Sequence, residues 1–177
     1  MYFEKLVTNH KIDMKRLKAA FFAEDDIGAV IRCHYEAERA LIHALDKLTS
    51  GRATKDKKKN KYFADSLNIL FILGVADQII KPMEILNNVR NGFAHKGHET
   101  IDDKAITELQ AAVATFTDTP LETFIIKFEG GKTFEESYDK LSKRQKFVVC
   151  ATIATGMLAA SPDAYKQASD KLTTPNT

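Results

Sequence analysis

The chain has 177 residues, 44% of them hydrophobic and 28% charged, and a net charge of +2. This is the make-up of one globular domain with a full core, and it excludes a polybasic field spread over the surface. Its two cysteines, Cys33 and Cys150, stand far apart without metal-ligand spacing, so a reducing, cytoplasmic setting is expected, with no disulfide framework, metal or cofactor.

The opening residues M-Y-F-E-K-L lack a basic stretch followed by an apolar one, so no signal peptide is expected. Residues 2–9 read as a short amphipathic helix or an arm. Met14 to Phe22 repeats apolar residues at helical spacing. Glu24, Asp25 and Asp26 then put acids where a helix dipole favours them. A long helix follows from about Asp25 to Leu48, with Ile27, Val30, Ile31, His34, Ala37, Leu41, Leu45 and Leu48 at i, i+3, i+4 spacing. His34 on that face reads first as a satisfied core histidine. Residues 49–61 break the pattern and read as a flexible, solvated basic loop. Its cations Arg52, Lys55, Lys57, Lys58, Lys59 and Lys61 are candidates for contact with a phosphate backbone, although no aromatic stands among them for base stacking.

Tyr62 to Val75 is almost wholly apolar, which predicts a central helix with Gly74 as its C-cap. Residues 76–95 form the next helix, with Pro82 tolerated near its first turn. After a loop at 96–100, Asp102 and Asp103 open a helix to Phe116. Residues 121–128 are strand-like in composition, but the helical context favours helix or irregular structure. A short helix is expected at 134–141. Ser142 then caps a helix to Ala160, and Ser161-Pro162-Asp163 starts a last one to Lys171. No apolar run reaches the ~18 residues of a membrane span. The reading is therefore one helical domain over 1–171 and a disordered end over 172–177.

One segment carries chemistry: Arg90-Asn91-Gly92-Phe93-Ala94-His95. On a helix counted from Ile79, Met83 falls at about 40°, Leu86 at about −20° and Phe93 at about −40°, with Arg90 at about 20° in the middle of that apolar stripe. An arginine there keeps its charge and has five donors to satisfy. It either pairs with a buried carboxylate such as Glu38, or it lines a wet cleft. A histidine moves protons near neutrality, and an arginine holds a phosphate and its developing charge. Asn91, one turn before His95, can orient the imidazole. On a continuous helix Arg90 and His95 point roughly 140° apart. A joint site therefore needs unwinding near Gly92 or Gly97, or a second subunit. His98 follows His95 closely, but H-K-G-H has no carboxylate or cysteine beside it to make a metal site.

Arg-Asn-x-x-x-His on a helix of an all-α chain resembles the HEPN superfamily. The wider context is similar to the mannitol operon repressor (MltR-like) family over roughly residues 20–160. It rests on F-A-D-S-L-N-I-L-F-I-L-G-V at 63–75, V-R-N-G-F-A-H at 89–95, A-E-D-D at 23–26 with Glu38 and Leu41, and K-R-Q-K-F-V-V-C-A at 143–151. The resemblance implies a compact all-α multi-helix bundle, a homodimer, and Arg90, Asn91 and His95 as site residues. It departs from several toxin-type HEPN domains, whose tyrosine two residues after the histidine is here Gly97. Two functions follow as expectations. One is a metal-independent endoribonuclease that leaves a 2′,3′-cyclic phosphate and a 5′-OH. The other is a non-catalytic transcriptional regulator that binds a protein partner. No helix-turn-helix, P-loop or nucleophile elbow is present.

Overall fold

The structure is a computed structural model describing residues 10–55, 62–117, 119–128 and 133–173, without the side chains of residues 54 and 166–173. It is a mostly helical bundle with one small two-stranded sheet. Helix α1 spans Met14–Phe21, α2 Asp26–Leu48, α3 Arg52–Lys55, α4 Phe63–Ile72, α5 Asp77–Lys96, α6 Asp103–Ala114 and α7 Lys143–Thr173. Strands β1 (Ile125–Phe128) and β2 (Phe134–Ser137) pair antiparallel between α6 and α7.

Local chemistry sets the helix starts. Asp13, Asp25 and Asp102 each accept a backbone N–H from the first turn of α1, α2 and α6. Asp26, the first residue of α2, ties three segments together. Its carboxylate accepts from the backbone N–H of Ile101 at 2.8 Å and from Arg144 Nε at 2.6 Å.

α2 packs chiefly on α7, and both present small buried residues: Ala29, Cys33, Ala37, Ala40 and Ala44 on α2, with Cys150, Ala151, Ala154 and Ala159 on α7. Small side chains let two helix axes approach closely. The centre of this seam is rotated by roughly 90° from the centre of the stripe expected for α2. Ile27, Ile31, Tyr35 and Ile42 are left 45–51% exposed along the outer side of the helix. Of the expected stripe, Val30, Ala37, Leu41 and Leu45 are buried, whereas Ile27 and Ile31 are not, because the contact with α7 selects the small residues beside them.

Three further expectations are corrected. Residues 125–128 and 134–137 form a hairpin, not helix, with Ile125 opposite Ser137 and Phe128 opposite Phe134. Phe128 and Phe134 both rest on Phe21 of α1, with ring centroids 4.9 and 5.2 Å away. The β-type composition therefore prevails because its alternate side chains have an apolar surface to cover. Second, α7 does not stop before Pro162. A proline leaves the carbonyl four residues back without its helical partner. Here that carbonyl belongs to Leu158, and it accepts from Ser161 Oγ at 2.8 Å. The helix continues through Thr173, past the expected boundary at 171. Third, the basic loop contains a helical turn, α3. Its residues 56–61 lie outside the described residues, as do 2–9 and 174–177.

By length and composition, Lys143–Tyr165 could cross a membrane, but 72% of that apolar window is buried in the bundle. Its apolar character is explained by its place in the core.

Candidate functional site

The first question is where Arg90 finds its partners. The carboxylate taken into the interior is Glu36, not Glu38. Glu36 has no exposure; Arg16 binds it, Arg39 donates to it at 2.9 and 3.1 Å, and the Asp13 backbone N–H donates at 3.1 Å. Arg16 also lies over the Tyr35 ring, 4.3 Å from its centroid. Glu38 is exposed on the outer face of α2 and forms no ion pair with Arg90. The expected pairing is corrected by helical phase. Glu38 stands about 140° from the centre of the α2 seam, while Glu36 lies about 60° from it, at its edge.

Arg90 is partly buried. Its Nη1 donates to Asn91 Oδ1 at 3.1 Å, and no carboxylate pairs with it among the described residues. α2 and α5 run antiparallel, since the start of α2 meets Ile101 just beyond the end of α5. That arrangement brings His34 of α2 beside Asn87 and Arg90 of α5. His34 Nε2 lies 3.4 Å from Asn87 Oδ1, and the His34 ring packs against Phe63 of α4 with centroids 4.7 Å apart. Burial pushes the His34 pKa down and the Arg90 charge adds to that, while the hydrogen bond to Asn87 opposes it. Sequence reading had set His34 aside as a core residue. Its position opposite Asn87 depends on the direction of α5, which no local pattern reveals.

α5 is unbroken from Asp77 to Lys96 and carries Pro82 buried in its second turn. No unwinding occurs at Gly92. His95 is exposed in the last turn, on the same side as Asn91 but not as Arg90. Gly97 closes the helix in a left-handed conformation at φ +68°, and its N–H and that of His98 both reach the Gly92 carbonyl. Gly92 has a second task. A Cβ there would fall 2.6 Å from His98 Nδ1, so the bare backbone lets the His98 ring lie against the helix.

A cleft of about 310 Å³ opens between α4 and α5, lined by Ala64, Leu67, Asn68, Glu84, Asn87 and Asn88. Asn87 therefore borders both this cleft and His34. A larger, mainly apolar cleft of about 390 Å³ lies between α1, the hairpin and α7, and contains none of the motif residues. Its one charged lining residue, Lys127, is paired with Glu135 at 2.8 Å. The cysteines carry no chemistry there either. Burial pushes the thiol of Cys33 up to about 12 and that of Cys150 up to about 11, leaving both protonated.

Of the basic segment, the described cations Arg52 and Lys55 lie away from the motif. Arg52 and Lys55 are exposed beyond the far end of α2. Leu48 is 14 residues from His34, about 21 Å along that helix. Lys57, Lys58, Lys59 and Lys61 lie outside the described residues. No cluster of three or more His, Cys, Asp or Glu suited to a metal occurs among the described residues. Comparison with family models, with curated proteins and with solved structures matched none of them.

Proposed function

We propose that the Arg90 region binds a phosphodiester and cleaves RNA without a metal. One observation carries the reading: a partly buried guanidinium has an amide, and no carboxylate among the described residues, to answer its charge. Such a group favours an incoming anion. Arg90 holds the scissile phosphate, and Asn91 orients Arg90 and faces His95 one turn on. His95 exchanges a proton with a ribose or leaving oxygen. Because Arg90 and His95 diverge on an unbroken helix, the His95 that serves an Arg90 comes from a second copy of the chain.

The exposed stripe of α2 supports that pairing. Ile27, Ile31, Tyr35 and Ile42 lie exposed along α2, the helix that carries His34. The same stripe also favours a second reading, a regulator that uses it to hold a protein partner. Cleavage of a mixed RNA pool in EDTA separates the two. Wild type should cut, and Arg90→Ala and His95→Ala, matched for helicity and oligomeric state, should not. An inert wild type, or cleavage that survives both changes, leaves the regulator.

A further inference from the structure

The proposed reaction needs two proton-transfer groups, one to take the 2′-hydroxyl proton and one to supply the leaving 5′-oxygen. His95 can fill only one of these roles at a time. Three observations point to the other group. His34 is the histidine that the fold brings to the Arg90 side of α5. Its ring is held from two directions, by Phe63 at 4.7 Å and by Asn87 at 3.4 Å. Asn87 and Arg90 are one turn apart on α5, so the ring and the guanidinium meet at one face of that helix.

The Asn87 contact also sets the tautomer. An amide oxygen accepts, so Nε2 carries the hydrogen and Nδ1 keeps its lone pair. We infer that His34 is the general base of the Arg90 site, with Nδ1 taking the 2′-hydroxyl proton of a ribose whose phosphate Arg90 holds; the inference rests on the ribonuclease reading. The step balances. The 2′-oxygen forms a bond to phosphorus as its proton passes to His34. The bond from phosphorus to the 5′-oxygen breaks, and that oxygen takes a proton from the second copy's His95. Solvent then restores both histidines. The surroundings suit a base. Arg90 is the charged group acting on His34 from α5, α4 contributes the uncharged Phe63 ring, and Glu38, one turn on along α2, faces solvent.

The test uses the full chain with ¹³C-labelled histidine. Inorganic phosphate, titrated at pH 7, should move the His34 ring resonance in wild type and leave it unmoved in Arg90→Ala. His34→Gln retains a donor to Asn87, so it should fold. It should lower kcat on RNA by about 100-fold with KM little changed, and remove the acid limb of the pH profile. Asn87→Ala, which frees the tautomer, should lose a few-fold. A His34→Gln variant that cleaves at the wild-type rate overturns the assignment. So does a His34 resonance that ignores phosphate while Arg90 responds to it. A wild type that never cleaves RNA ends the ribonuclease reading and the base role with it. The phosphate titration would then still report whether His34 borders the anion site.

Discussion

Two arginine sites flank α2, and they differ in how their charge is met. At one, Arg16 and Arg39 close on Glu36, and every approach to that carboxylate is taken by a donor. At the other, Arg90 has Asn91 for a partner, Asn87 beside it and a histidine whose pKa burial lowers. The first resembles a finished ion pair, in which charge serves the packing. The second has no carboxylate among the described residues to answer its positive charge. The lesson is that a motif arginine cannot be judged by burial alone. What separates structure from binding is whether an anion is already in place.

The largest effect should come from opening the closed site. Arg16→Met combined with Arg39→Met strands the Glu36 carboxylate in the core and should cost about 3–5 kcal/mol in urea unfolding. Glu36→Ala should cost less, about 2–3 kcal/mol, because Arg16 and Arg39 are 33% and 37% exposed and can turn to water. Should the double variant unfold like wild type, the contrast between the sites collapses. Arg90→Ala should show the opposite profile. Phosphate binding and RNA cleavage should fall at least 100-fold, with unfolding free energy within about 0.5 kcal/mol of wild type. Asn87→Asp sharpens the comparison by giving the open site a carboxylate of its own. Phosphate affinity measured by calorimetry should drop about tenfold, while stability rises by less than about 1 kcal/mol.

The smallest effect is in pH. His34 has a pKa lowered on folding, so the unfolded chain takes up the proton first as pH falls. Its contribution is complete above the unfolded value of about 6.5 and is lost as the solution is acidified below it. His10 and His43 are lowered too, chiefly by burial, and act in the same direction. Urea midpoints should therefore fall between pH 7.5 and 5.5, and His34→Gln should flatten part of that slope.

The helices were legible because caps and apolar spacing are local. Asp25 before α2 and Asp102 before α6 do in the structure what their positions imply. The prominence of Arg90 was legible for the same reason, as a charge centred on an apolar stripe. The phase of α2 was legible only in part: Val30, Ala37, Leu41 and Leu45 are buried as expected, but Ile27 and Ile31 outweigh alanines in an apolar pattern, while packing against α7 favours Ala40 and Ala44. That error led to Glu38 in place of Glu36. The hairpin was missed by letting helical surroundings override the strand composition of Ile125 to Phe128. The contact of His34 with Asn87 was not legible because the two lie 53 residues apart in sequence.

The two hydrogen bonds accepted by Asp26 have a kinetic meaning. They join it to residues 75 and 118 positions away, Ile101 and Arg144. Loops of that length close at an entropic cost, and contacts so distant form after the local helices have paired. Asp26 should thus be a late fastening, absent from the folding transition state. Asp26→Asn should speed unfolding in stopped-flow measurements and leave the folding limb nearly unchanged. One carboxylate at the head of α2 would then govern how long the native chain lasts more than how fast it arrives.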